Sequence, residues 1–210
     1  MADLTITGTG ATPPATLSRY LCLTELDAVN QMLEIIGEQP VNSLPANGVP
    51  DAMAAEILLF NTNREVQSMK LTSNTETNYP LTADNEGYIA VPPSALSVDC
   101  LYRNQDYVTR GLRLYNKADH TYVFTPGQVV RVNITFFLPF TELPQCVRNY
   151  IGILAGFRFQ ERMVGSETLD KFSAVSLQAA WKIMVSTEID TGKHNLLDSV
   201  SLNKLRMGRR

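Results

Sequence analysis

The segment from Leu26 to Val41, LDAVNQMLEIIGEQPV, constrains the fold more than any other part of the chain. Apolar side chains fall at Leu26, Val29, Leu33 and Ile36, the three-and-four spacing that lines one face of an α-helix. Thr24 is placed to cap its start, and Asp27 stands where a carboxylate favours the positive end of the helix dipole. Gly37 occupies the position where helices commonly end in a left-handed residue, and Pro40 stops the helix resuming. A helix with one apolar stripe and both ends marked must bury that stripe against another element.

A partner follows directly. Pro50 suits a first helical turn, and Ala55, Leu58, Leu59, Thr62, Val66 and Met69 mark a second stripe. The Pro/Asn/Gly-containing loop at 42–49 predicts an antiparallel pair. From about residue 74 to 139 the period changes to two. Val130, Val132, Ile134, Phe136 and Leu138 alternate with Arg131, Asn133, Thr135 and Phe137, a strand with one buried face. Leu112–Tyr115 and Thr121–Phe124 flank Asn116–Asp119 as a predicted hairpin, with shorter strands at Tyr88–Val91 and Ser97–Tyr102.

Residues 141–190 return to helix. Val147, Tyr150, Ile151, Leu154 and Phe157 share one face, and Leu169, Phe172, Val175, Ala179 and Ile183 supply the next. Gly152 and Gly156, four apart, allow another helix to approach closely. The expected fold is α+β, a bundle of four main helices with an inserted, mostly antiparallel β-sheet. Residues 1–20 form a flexible arm, 21–73 and 141–192 the bundle, 74–140 the β-rich insertion and 193–210 an extended tail. The predicted bundle core is Leu26, Val29, Leu33, Ile36, Leu58, Val66, Val147, Ile151 and Leu154. Burying four apolar side chains on each helix is worth roughly 6–12 kcal/mol before entropy, so the two helix pairs need each other.

Composition narrows the function. At 210 residues, with 44% hydrophobic and 19% charged residues, the chain is an ordinary globular one. The longest apolar run, Tyr150–Phe157, is far short of the roughly 20 residues that span a bilayer, and the N-terminus lacks the pattern of a signal peptide. A soluble protein made in the cytoplasm, with no membrane anchor, is expected. Cys22, Cys100 and Cys146 are too scattered for a disulfide framework and are expected to be buried thiols. With only His120 and His194 beside them, no metal site and no cofactor are expected. Charge is uneven: residues 1–60 hold seven acids against Arg19, and residues 193–210 hold five bases against Asp198. A basic end of this kind suits an acidic partner surface or nucleic acid.

No catalytic constellation emerges. Gly8-Thr9-Gly10 lacks the strand and helix of a nucleotide loop, and no GxSxG elbow occurs. Glu34 and Glu38, four apart, read as a solvated helix end rather than an acid–base pair.

Four blocks of residues together resemble a known family. The first is Leu26-Asp27-Ala28-Val29-Asn30 with Ile36-Gly37-Glu38-Gln39-Pro40-Val41. The second is Asp51-Ala52, Ala55, Ile57-Leu58 and Arg64-Glu65-Val66-Gln67-Ser68. The third is Leu143-Pro144-Gln145-Cys146-Val147-Arg148 with Phe159-Gln160-Glu161-Arg162 and Gly165. The last is Glu188-Ile189-Asp190-Thr191-Gly192 with Asn195-Leu196-Leu197-Asp198. In this order they resemble tail tubular protein A, the head-to-tail adaptor of short-tailed phages (podoviruses). Met69-Lys70-Leu71 stands where that family usually has Gly-Trp.

The resemblance implies a non-enzymatic virion protein at the head–tail junction, synthesised in the host cytoplasm. It implies a homo-dodecameric ring between the portal protein and the tail nozzle (tail tubular protein B), with tail fibres as a further possible neighbour. Genome DNA would pass through the central channel without sequence-specific binding. On the same analogy, Lys204, Leu205, Arg206, Arg209 and Arg210 are the candidate portal contact. Two alternatives stand beside it: an adaptor that also hydrolyses host envelope glycans, and a non-specific DNA-binding protein using the basic tail.

Overall fold

A computed structural model describes residues 22–45, 48–101, 106–163 and 167–196 of the chain. The first helix, α1, spans Glu25–Ile36 and carries the caps its sequence predicts. Thr24 Oγ1 accepts the Asp27 N–H at 3.1 Å, and Asp27 Oδ2 accepts the Thr24 N–H at 3.0 Å. This reciprocal box satisfies two donors that the helix cannot, and such a cap is worth about 1 kcal/mol. Gly37, at φ 79°, donates to Glu34 while Glu38 donates to Leu33, closing the far end.

Inward from α1 point Ala28, Val29, Met32 and Leu33, with Ile36 partly buried beside them. Leu26 departs from the sequence expectation: it is half-buried and does not join this core. The reason is geometric. Two helices pack on α1, so the buried arc centres between Ala28 and Leu33, and Leu26 lies about 90° round from it at 100° per residue.

Those two helices are α2 (Pro50–Gln67) and α3 (Gln145–Met163), which also pack on each other. Leu58 and Val66 from α2, with Val147, Ile151 and Leu154 from α3, join Val29 and Leu33 in one cluster that Phe140, Leu143 and Phe159 complete. Met69 falls beyond the end of α2 and is exposed, unlike the rest of its expected stripe. Close approach of α1 to α3 depends on the two helical glycines. A Cβ at Gly152 would stand 3.2 Å from Leu23 Cδ2, and one at Gly156 3.3 Å from Ile35 Cδ1. Arg158 on α3 grips Glu65 on α2 through two parallel bonds, Nη1 to Oε2 at 2.6 Å and Nη2 to Oε1 at 2.9 Å.

The last helix, α4 (Glu167–Leu196), lies along α3. Among its described side chains, Ala180 and Met184 are fully buried, with Leu177 and Val185 partly buried, and Trp181 meets Tyr150 with ring centres 5.3 Å apart. The expected stripe is therefore corrected where it is described; the side chains of Leu169 and Phe172 lie outside the described residues. Val175, Ala179 and Ile183 face outward, while the inward row lies on the other side of the helix. The helix also continues through Gly192 to Leu196, four residues into the segment expected as tail. Gly192 rests near Thr72, whose N–H donates to the Glu188 carboxylate, so a tertiary anchor overrides the helix-breaking tendency of one glycine.

Between α2 and α3 runs the β-rich part. Strand β5 (Val129–Phe136) is the centre of a three-stranded antiparallel sheet, flanked by β1 (Thr75–Thr82) and β2 (Ala95–Cys100). Val130, Val132 and Ile134 of β5 are buried, as the alternation predicts. They join Leu81, Ile89, Val91, Leu114 and Phe124 in a second core, separate from that of the helices. The hairpin prediction needs correcting in its partner. Strand β4 (Arg113–Asn116) ladders with the preceding β3 (Tyr107–Arg110). The turn at Asn116–Asp119 is present, closed by Asn116 and Thr121, but Thr121–Phe124 contributes only isolated bridges. Tyr88–Val91 is likewise reduced to bridges.

Two buried amides stitch the halves together. Gln67, the last residue of α2, donates from Nε2 to Leu138 O at 2.8 Å and Asn63 Oδ1 at 2.9 Å, and its Oε1 accepts the Leu138 N–H at 2.8 Å. Asn74 donates from Nδ2 to Gln67 O and Phe136 O, both at 2.9 Å, and its own carbonyl accepts the Phe136 N–H at 2.8 Å. The outgoing strand and the returning one thus meet at one hydrogen-bonded node. Lys70, on the outgoing connection, adds an ion pair to Asp99 of β2 at 2.8 Å.

Candidate assembly surfaces

Among the described residues no group of three or more His, Cys, Asp or Glu side chains could hold a metal ion. His120 is exposed at a turn with φ 53°, and the side chain of His194 lies outside the described set, as does Gly8-Thr9-Gly10. Glu34 and Glu38 are exposed and border an open groove of about 760 Å³ with Asp27, Asn30 and Gln145. Two of those neighbours are already engaged. Asp27 belongs to the cap, and Asn30 holds both backbone groups of Val41, at 2.8 and 3.0 Å. Cys100 and Cys146 are half-buried, whereas Cys22 is exposed, contrary to the expectation of buried thiols.

The perturbed titratable groups belong to the bundle rather than to a cleft. Hydrogen bonding to Arg158 holds the Glu65 carboxyl below its ordinary 4.5, with partial burial opposing it. Burial pushes the Tyr150 phenol above its usual range. A carboxyl whose folded value is depressed adds stability above its unfolded value and loses it as pH falls through the folded one. The Glu65–Arg158 pair should therefore be intact at neutral pH and fade below about pH 4.5. Glu65 is more than half exposed, so screening limits the contribution to about 1 kcal/mol or less. Urea titrations of wild type and Glu65→Gln should differ at pH 7, and the gap should shrink as the pH falls below 4.5; a gap that does not change with pH would refute this origin.

What the surface does offer is apolar. On α2, Met53, Ile57 and Phe60 follow one another at helical spacing on the side away from the core, with Val49 exposed just before the helix, and Ile57 is 60% exposed. Phe60 packs edge-on to Phe137 at 5.7 Å, and the Arg64 guanidinium stands 5.7 Å from one ring and 5.8 Å from the other. Beside this row runs a groove of about 260 Å³ lined by Leu44, Leu59, Asn63 and Phe140 as well as Ile57 and Phe60. A second row lies on α4, where Val175 is 69% and Ile183 59% exposed, with Ala179 between them. Scattered exposed apolar residues are normal, but two ordered helical rows indicate surfaces built to be covered.

Residues 26–194 match the family described as "Tail tubular protein". The chain belongs to the tail tubular protein family. The match takes in α1, α2, every strand and α3, and ends within α4. A tail tubular protein is a structural component of a phage tail, and it assembles with other virion proteins. No curated protein matches the chain. Among the described residues, no helix is long and apolar enough to cross a membrane.

The expected portal-contact residues Lys204, Leu205, Arg206, Arg209 and Arg210 all lie outside the described residues. Sequence inspection overlooked the outer row of α2 because its inner stripe was the stronger pattern. The signal was nevertheless present: Met53, Ile57 and Phe60 repeat at four and three beside the inner row. Gln67 and Asn74 were equally invisible, since nothing local marks a polar residue that serves a strand far along the chain.

Proposed function

We propose that this chain is the head-to-tail adaptor of a short-tailed phage. Twelve copies form a ring between the portal protein and the tail nozzle, and the genome passes through its centre. The observation that carries this reading is the family match over residues 26–194, which spans both the helical and the β-rich parts. The open apolar rows on α2 and α4 support it, because a ring needs two different docking faces on every copy. Acidic side chains on α1 fit a bore along which phosphates slide without sticking, since attraction to DNA comes from Lys and Arg. The basic residues of 204–210 are the proposed portal contact, where many copies in a ring compensate weak individual contacts.

Electron microscopy of the purified protein, alone and mixed with portal, tests the proposal. Twelvefold rings seated on portal are expected, and deletion of 193–210 should abolish portal association. A protein that stays monomeric and ignores portal would overturn the adaptor function. Glycan hydrolysis that disappears on changing a single carboxylate to its amide would overturn the non-enzymatic part.

A further inference from the structure

We propose that the outer row of α2 on one copy docks against the outer row of α4 on the neighbouring copy. This rests on the ring reading above and assigns the two faces that ring closure uses.

α4 is apolar on two sides, and the fold employs only one of them. Leu177, Ala180 and Met184 turn towards α3, whereas Val175, Ala179 and Ile183 sit roughly opposite. The outward positions keep strict helical spacing, which random exposure would not produce. α2 repeats the arrangement. Ala55, Leu58, Thr62 and Val66 turn inward, and Met53, Ile57 and Phe60 turn out. Within one chain the two rows cannot serve each other, because α2 packs on α1 and α3 while α4 packs on α3.

Three features select a second copy as the occupant, and α4 as its contacting element. The rows match in length: at about 1.5 Å per residue, Met53 to Phe60 covers about 10 Å and Val175 to Ile183 about 12 Å. Charge allows one pairing across the contact: Glu56 borders the α2 row on one side, with Arg64 on the other, and Lys182 borders the α4 row. The groove beside Ile57 and Phe60 can receive aliphatic side chains of the kind that Val175 and Ile183 present. Two different patches pairing head to tail generate a ring, whereas one patch pairing with itself stops at a dimer.

Disulfide trapping in the full-length chain tests the pairing. In a Cys22→Ser background, single cysteines replace Met53, Ile57 or Phe60 in one set and Val175, Ala179 or Ile183 in the other. Under mild oxidation, mixing the two sets should yield covalent dimers for at least one pair, and chains carrying both members of that pair should give ladders of higher multimers. In parallel, Ile57→Glu and Ile183→Glu should each raise the concentration needed for assembly about a hundredfold, as expected for centrally placed contacts. Both variants should melt at the temperature of unassembled wild-type protein, because both side chains are exposed in the single chain. Wild-type rings with no cross-link in any of the nine mixtures would overturn the pairing and leave the adaptor function standing. Cross-linking of the α2 set with itself would overturn it in favour of a two-fold contact. A wild type that never assembles, with or without portal, would overturn both.

Discussion

Replacing Gln67 by leucine is expected to lower the unfolding free energy by about 3–5 kcal/mol, measured by urea or thermal denaturation. The side chain is fully buried, and its amide serves three partners at once: Asn63, the Leu138 carbonyl and the Leu138 N–H. Leucine has a similar volume but no polar atom, so the cost comes almost wholly from desolvated groups left without partners. Leu138 is itself only half-buried, and some water should reach its backbone, which sets the upper bound. Gln67→Glu should be no better, since a carboxylate cannot donate to the Leu138 carbonyl. A loss below about 1 kcal/mol would mean that water replaces the amide and that the node is not structural.

The second large effect is expected at Phe159. Its ring is 1% exposed and sits in the single helical core formed by α1, α2, α3 and α4. Phe159→Ala should cost about 3–5 kcal/mol, combining lost transfer energy with a cavity that the surrounding helices fill only in part. The chain's one tryptophan makes the prediction sharper. Trp181 lies on α4 against Tyr150, so its emission reports α4 docking while far-ultraviolet circular dichroism reports all the helices. The two transitions should coincide in the variant as in wild type, because α4 shares its buried face with the same cluster. An earlier fluorescence transition would show that α4 unfolds on its own.

Legibility followed locality. The ends of α1 could be read at residue level, because Thr24, Asp27 and Gly37 act within one helical turn of themselves. Strand β5 was readable because it lies at the centre of its sheet with one face buried, and alternation encodes that condition. Strand β1 was not. Its sequence, TETNYPLT, has Pro80 in its interior and a left-handed Asn78 that breaks the register, features an edge strand tolerates when a neighbour supplies the template. The outer row of α4 was legible as a stripe and misassigned as core, since periodicity identifies an apolar face without saying which chain covers it. The candidate surfaces therefore stood in the sequence as pattern, and only the positions of Ala180 and Met184 showed that the pattern faced outward.

The node at Gln67 and Asn74 has a mechanical meaning. The polypeptide passes between its two cores twice, and both passages are fastened at the same place, directly onto the last turn of α2. A load applied to the sheet meets no free hinge there. Displacement of the β-rich part is therefore expected to be passed to the helix whose far side carries Ile57 and Phe60.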